Sequence, residues 1–129
     1  MKKKLFKIRV YYEDTDAGGI VYYANYLNFL ERARTQMLFD NGFTHTSLKE
    51  DFKLFTVVKS CNIDFIKPAK LDDEIKISTS LHKKSRIQIY LNQNIYNNKS
   101  LIVKALVRIV TVNNKGKVTK MPLDLYNIF

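Results

Sequence analysis

The hydrophobic pattern changes its period once along the chain, near residue 25. Over residues 5–12 apolar and polar side chains alternate, which predicts a strand that buries Phe6, Ile8, Val10 and Tyr12 on one face. Over residues 25–42 the apolar positions recur at helical spacing, which predicts one long amphipathic helix ending at a glycine. Residues 47–50 have the spacing of a capping box and predict one short extra turn.

The rest of the chain predicts four strands joined by turn residues, over 54–66, 74–81, 86–96 and 101–112. Residues 54–66 are rich in Val, Ile, Phe and Thr, the next two segments alternate, and residues 101–112 are nearly continuously apolar. Short turns between them imply an antiparallel sheet, and a single long helix must then cover one face of it. The fold class is therefore α+β. Residues 101–112 are apolar on both sides, so we expect this strand at the centre of the sheet. Exposed sheet edges favour pairing between copies, which predicts a homo-oligomer.

Size and composition limit the classes of protein that are compatible with the chain. Its 129 residues predict a single domain over 1–129, and 46% hydrophobic with 26% charged residues is ordinary for a globular protein. It has neither an apolar run of roughly 18 residues nor a signal-peptide pattern, so we expect a cytoplasmic protein without a membrane span. Cys61 is the only cysteine and is expected to be a small buried side chain. His45 and His82 lack partners at ligand spacing, so neither a metal nor a cofactor is expected.

The charge balance is strongly basic, with 22 Lys and Arg against 12 Asp and Glu, a formal charge of +10. This favours an anionic partner, which could be nucleic acid, lipid headgroups, an acidic protein or a ligand that carries phosphate. An ordinary solvated surface explains the charge equally well. The basic residues are scattered, and no RNP-type or helix-turn-helix pattern accompanies them, so we expect no specific nucleic-acid binding.

The segment between the first strand and the helix carries the candidate chemistry. Asp14 and Asp16 are two residues apart, so in extended backbone their side chains would point the same way. Gly18 and Gly19 follow, and the helix begins a few residues later. A carboxylate, two glycines and free helix N-terminal amides make a candidate anion or oxyanion site. The structural alternative is that the aspartates are turn or cap residues and the glycines permit positive φ.

Residues 9–26, RVYYEDTDAGGIVYYANY, resemble the signature of the hotdog-fold acyl-CoA thioesterases. The resemblance is strongest to the branch with 4-hydroxybenzoyl-CoA thioesterase and the Tol-Pal-associated YbgC-type thioesterases. Residues 31–34 and 65–73 are similar to that branch as well, so the resemblance covers most of the chain. It implies a hotdog fold, in which about five antiparallel strands wrap one long central helix. It also implies a homodimer or homotetramer with active sites at the subunit interface.

The resemblance further implies hydrolysis of an acyl-CoA thioester to a carboxylic acid and coenzyme A. The family's catalytic carboxylate falls on Asp16, as nucleophile or as general base. The residue whose backbone N–H polarises the thioester carbonyl falls on Tyr23, where many YbgC-type members have His. The substrate contacts that we expect are Gly19, Ile20 and Val21 beside the site, and Lys83, Lys84 and Arg86 for the coenzyme A phosphates.

Three other functions are compatible with the sequence. A dehydratase or hydratase acting on acyl thioesters needs a His near the acid, and none lies near Asp16 in sequence. A binding or scaffold module among envelope or phospholipid-synthesis proteins would have an acidic acyl carrier protein as a natural partner. Retention of binding by an Asp16→Ala variant would favour this function. A nucleic-acid binder is suggested by the charge alone, and salt-sensitive DNA binding is expected of any protein so basic.

Overall fold

A five-stranded antiparallel sheet forms the frame of the computed structural model, which describes all 129 residues. The strands are β1 (Lys4–Arg9), β2 (Phe55–Phe65), β3 (Glu74–Lys84), β4 (Gln88–Asn97) and β5 (Ser100–Val112). Their order across the sheet is β1-β3-β4-β5-β2, and every neighbouring pair is antiparallel. The predicted sheet of about five antiparallel strands is confirmed.

The long helix α1 (Asn25–Asp40) covers one face of this sheet, as the hydrophobic spacing predicts. Its buried residues recur every three or four positions, so they form one apolar stripe. They are Tyr26, Phe29, Leu30, Ala33, Met37 and Leu38. These side chains share one core cluster with the buried residues of β3, β4 and β5. The α+β class is confirmed: one long helix packs on a five-stranded antiparallel sheet.

The first strand is shorter than predicted. It ends at Arg9, and Tyr12 begins a 3-10 turn (Tyr12–Asp14) instead of lying on the buried face, so its side chain is 83% exposed. The physical reason is local: the Asp14 carboxylate accepts the Tyr11 N–H at 2.8 Å. An aspartate side chain that bonds nearby backbone competes with the strand ladder and favours a turn.

Two further predictions differ from the structure. The second helix, α2 (His45–Phe52), does not begin at Ser47: its N-cap is Thr44, and the Thr44 and Ser47 hydroxyls accept each other's backbone N–H at 2.9 Å. Strand β5 is an interior strand, but the middle position belongs to β4, and β2 lies at the edge. A short helix α3 (Leu123–Tyr126) follows the sheet. None of the helices is both long and apolar enough to cross a membrane.

Candidate active site

Asp14 and Asp16, which were expected to point the same way, face different environments. Asp14 is only 4% exposed, and its two carboxylate oxygens accept hydrogen bonds from the Tyr11 N–H (2.8 Å) and from Asn25 Nδ2 (2.7 Å). Asp16 is exposed to solvent. The expectation is wrong because Asp14 ends a 3-10 turn rather than an extended segment. Only Asp16 is therefore placed to meet a substrate.

The Asp16 side chain is held by a tight turn. Its Oδ1 accepts the Gly18 N–H at 2.8 Å, and its backbone carbonyl accepts the Gly19 N–H at 3.1 Å. A Cβ at position 18 would lie 3.2 Å from that Oδ1, and Gly19 has a φ of +77°, so both glycines suit this turn. No protein group donates to Oδ2 of Asp16. One carboxylate oxygen is thus fixed and the other is open.

The start of α1 supplies unpartnered backbone amides. The N–H groups of Asn25, Tyr26 and Leu27 donate to the carbonyls three residues earlier, whereas those of Tyr23 and Ala24 donate to no protein atom. Free amides at a helix N-terminus carry the positive end of the helix dipole. The Tyr23 N–H, predicted to polarise a carbonyl, is therefore available for an external acceptor.

A second loop is hydrogen-bonded to the segment that carries the site. Its central residue, Ala69, is fully buried. Its carbonyl accepts the Val21 N–H at 2.9 Å, and its own N–H donates to the Tyr26 hydroxyl at 2.9 Å. The Leu71 N–H donates to the carbonyl of Gly19 at 3.1 Å, so the loop is tied to both the glycine turn and the helix. Burial raises the pKa of Tyr26, with Asp73 contributing, against the lowering effect of the Ala69 N–H.

Replacing Tyr26 by Phe removes the acceptor of the Ala69 N–H and leaves that buried amide unpaired. Such a loss costs about 1–3 kcal/mol, so we expect a melting temperature lower by about 4–11 °C. Thermal unfolding followed by circular dichroism measures this. The matched control is Tyr23→Phe, because the Tyr23 hydroxyl bonds no protein group. An unchanged melting temperature for Tyr26→Phe would contradict this role.

The raised pKa of Tyr26 predicts that the stability of the protein depends on pH. A phenol whose folded-state pKa is raised above 10.0 binds its proton more tightly when folded. Its stabilising contribution is complete below about pH 10 and is lost as the pH rises through the folded pKa. The free energy of unfolding should therefore fall more steeply as the pH rises above about 10 in the wild type than in Tyr26→Phe. Parallel curves for the two proteins would refute this.

The predicted substrate contacts differ in their exposure and in their hydrogen bonds. Gly19 and Ile20 are partly exposed beside Asp16, but the Val21 side chain is buried in the core and its N–H is used. Lys84 Nζ donates to the carbonyls of Tyr126 and Phe129 at 3.1 and 2.7 Å.

Arg86 likewise donates two hydrogen bonds to the Met121 carbonyl, at 2.9 and 2.6 Å. We therefore assign Val21 to packing of the loop, and Lys84 and Arg86 to holding the segment after β5. Of the three basic candidates, Lys83 alone is exposed, with Nζ 4.4 Å from the ring centre of Tyr90.

Arg108 is a basic residue at this place that sequence reasoning missed. The sheet register sets Lys83 opposite Tyr90 on one side and Arg108 opposite Tyr90 on the other. The Arg108 guanidinium lies 5.8 Å from the same ring centre. No carboxylate pairs with either cation, since the ion pair of the molecule joins Arg9 to Glu74. Strand pairing brings Lys83 and Arg108 to the same ring, and the spacing of residues along the sequence does not reveal this.

Sequence reasoning also missed a cavity of about 220 Å³ between the second half of α1 and the sheet. Its lining is mainly apolar, with Glu31, Arg34 and His45 among the polar members. Arg34 donates to Gln93 at 2.8 Å, and burial lowers the pKa of Arg34. Partial burial also raises the pKa of the Cys61 thiol, which disfavours the thiolate, but Cys61 is only half-buried because it lies on the edge strand β2, so the predicted full burial is wrong. No cluster of three or more potential metal ligands exists.

Comparisons with known proteins agree with this fold. A family model described as "Thioesterase-like superfamily" matches residues 10–129. The acyl-CoA thioesterase YbgC of Haemophilus influenzae is 41% identical over 125 residues, covering 96% of this chain and 92% of that protein.

Two solved structures have the same fold. A probable thioesterase from Bartonella henselae is 36% identical with a TM-score of 0.90, over 94% of this chain and 100% of that one. The 4-hydroxybenzoyl-CoA thioesterase of Pseudomonas sp. strain CBS-3 has a TM-score of 0.92 over all of both chains; at 22% identity it supports the fold alone.

The chain is therefore a hotdog-fold protein and belongs to the thioesterase-like superfamily. Within that superfamily its relatives include acyl-CoA thioesterases of the YbgC type. The predicted family, fold and class of enzyme, a thioester hydrolase, are confirmed.

Proposed function

We propose that this protein hydrolyses an acyl-CoA thioester, with Asp16 as the attacking or proton-accepting group and the Tyr23 N–H as the oxyanion donor. One observation carries the proposal: the unpartnered Tyr23 N–H lies one residue before the N-cap of the helix that follows the Asp16 loop, and Asp16 keeps one carboxylate oxygen free. The relatives whose names state acyl-CoA hydrolysis support the substrate class.

The chemistry needs little beyond these two groups. A thiol has a pKa of about 8.5, so coenzyme A leaves as a thiolate without a dedicated acid. Tyr23 in place of the family's frequent His therefore does not prevent the reaction. The remaining barrier is formation of the tetrahedral oxyanion, for which one preorganised donor contributes about 2.7–4 kcal/mol.

Asp16 has two possible roles in that step. As nucleophile, its Oδ2 bonds to the carbonyl carbon, the C–S bond breaks, and water then hydrolyses the mixed anhydride. As general base, it takes a proton from the water that attacks. In a single turnover in ¹⁸O-labelled water, ¹⁸O in the Asp16 carboxylate identifies the first route, because water that attacks the aspartyl carbon of the anhydride leaves its oxygen there and the general-base route never labels Asp16. Trapping the anhydride with hydroxylamine identifies the first route when water attacks the acyl carbon instead.

Lys83 and Arg108 are the proposed contacts for the coenzyme A phosphates. Both are cations without a carboxylate partner that lie against the Tyr90 ring; Lys83 is exposed, and the partly exposed Arg108 donates to Gln88 at 3.0 Å. Charge reversal at either position, Lys83→Glu or Arg108→Glu, should raise KM for acyl-CoA about fivefold, which is ~1 kcal/mol for an exposed contact.

The matching substrate control is an acyl N-acetylcysteamine thioester, which has no phosphate and whose KM should not change. Lys2→Glu is the control for net charge, since Lys2 is exposed on the chain before β1. A rise in KM for both thioesters would contradict a phosphate contact.

We propose that two copies pair along the edge strand β2, forming the interface in a homodimer or homotetramer. Val57, Val58 and Phe65 on this unpaired edge are exposed. The Phe65 ring lies 5.8 Å from the Tyr23 ring, so the edge ends beside the candidate site. Val58→Lys should give a monomer by light scattering, with reduced hydrolysis, because a charge on an edge strand opposes pairing. An unchanged oligomer would count against this edge.

A binding module for acyl carrier protein is the second candidate function, favoured by the charge of +10. An acidic carrier that presents acyl thioesters would also be a substrate donor for the first. Asp16→Ala distinguishes them: a scaffold keeps its carrier affinity and its biological role, whereas a hydrolase keeps at most the affinity.

A further inference from the structure

We propose that Asp14 is a positioning residue for the hydrolysis, holding the free Tyr23 N–H in place relative to Asp16. The inference rests on the proposed function, and it assigns a role to a carboxylate that the reaction does not consume. Asp14 is 4% exposed, and no basic side chain pairs with it. A buried carboxylate without an ion-pair partner is costly unless its hydrogen bonds are fully used.

Asp14 accepts hydrogen bonds from the residues on either side of the two free amides. Its backbone carbonyl accepts the Tyr22 N–H at 3.0 Å, and its Oδ1 accepts from Asn25 Nδ2 at 2.7 Å. Tyr23 and Ala24, whose N–H groups have no partner, are the two residues between these anchors. Asp14 thus fixes the residues on both sides of the two unbonded amides, Tyr22 and Asn25.

Position 14 requires a carboxylate, which has two accepting oxygens, because both hydrogen bonds to its side chain come from N–H donors. Oδ2 accepts the Tyr11 N–H while Oδ1 accepts from Asn25, and Asn25 Oδ1 in turn accepts from Asn28 Nδ2 at 2.6 Å. The Asn28 contact orients the Asn25 amide so that its NH₂ faces Asp14. An asparagine at position 14 would direct its own NH₂ at one of these donors.

Ordinary helix capping does not explain this arrangement. The N-cap residue is Ala24, which has no side-chain acceptor, and Asp14 bonds a side chain of the first helical residue rather than a helix N–H. The contact fixes where the helix starts relative to the Asp16 loop. Misplacement of a catalytic group by about 1 Å can lower a rate about 10²-fold.

The test is an exchange of the two partners. Asp14→Asn leaves two donors facing each other, and Asn25→Asp leaves two carboxylates facing each other. The double variant Asp14→Asn/Asn25→Asp restores every bond: the amide now at position 14 accepts from Tyr11 and donates to the carboxylate now at position 25, which accepts from Asn28. We expect kcat to fall about 10²-fold in each single variant, with KM changed less than about threefold, and to recover in the double variant.

A second readout keeps the test valid if a single variant unfolds. Asn25→Ala removes the bond without adding a charge, and it should lower kcat with KM preserved. The ¹⁵N–¹H resonances of Tyr23 and Ala24 should shift in Asn25→Ala and return to wild-type positions in the double variant.

Wild-type kcat in a folded Asp14→Asn protein would overturn the inference, and so would a folded double variant that stays slow. Loss of melting temperature in Asn25→Ala with kcat intact would reduce Asp14 to a structural role and also refute it. A wild-type protein that hydrolyses no acyl-CoA would instead contradict the proposed function, so the two failures are distinguishable.

Discussion

Asp16→Asn lowers kcat for acyl-CoA hydrolysis by about 10²–10⁴-fold if Asp16 is the general base, and by more if it is the nucleophile. The asparagine amide is neither basic nor nucleophilic, yet its Oδ1 can still accept the Gly18 N–H that holds the side chain. We therefore expect the variant to fold normally and to keep KM close to the wild-type value. Steady-state thiol release and a thermal melt measure the two properties.

The matched control for this change is Asp72→Asn. Asp72 is also an exposed aspartate in a loop, and its side chain makes no hydrogen bond within the protein. Its φ of +73° is one that asparagine tolerates. Full activity in Asp72→Asn beside collapse in Asp16→Asn would assign the effect to the site. Comparable activity in wild type and Asp16→Asn would show that Asp16 is not the reacting group.

Replacing the Tyr23 peptide N–H by an ester oxygen should lower kcat about 10²–10³-fold, the range for loss of one oxyanion donor. The substitution is made by incorporating the α-hydroxy acid analogue of tyrosine, which preserves the side chain. It removes a donor that has no partner in the folded protein, so stability should be nearly unchanged.

The neighbouring amide provides the control. Ala24 also has a free N–H, so the same ester substitution at Ala24 removes that donor and keeps its side chain. If Tyr23 alone holds the oxyanion, the Ala24 ester keeps its activity and its stability. A large loss of activity in the Ala24 ester with none in the Tyr23 ester would move the oxyanion donor to Ala24.

Most of the fold was predictable because it depends on the period of the hydrophobic pattern along the chain. Alternation over β3 and β4, the nearly continuous apolar run of β5, helical spacing over α1 and short turns are local properties of the chain, and the structure matches them closely. Two of the errors occur where a side chain bonds the backbone. Asp14 converts the end of the first strand into a turn, and Thr44 begins α2 earlier than Ser47 suggests.

The candidate site was only partly predictable, because its residues act through contacts that are distant in sequence. The motif predicts Asp16 and Tyr23, but it does not show that Lys84 and Arg86 are bound to carbonyls of the segment after β5. Arg108 becomes a candidate only through strand register. Pairing and packing across the sheet decide which charges remain free.

The measurement that tests the central claim most directly is thiol release from short, long and aromatic acyl-CoAs by the wild-type protein and Asp16→Asn in parallel. We predict hydrolysis of at least one acyl-CoA by the wild type and a loss of at least about 10²-fold in the variant. Equal rates in the two proteins would contradict the role of Asp16. No release from any acyl-CoA by a folded, oligomeric wild-type protein would contradict the proposed activity and favour the carrier-binding function.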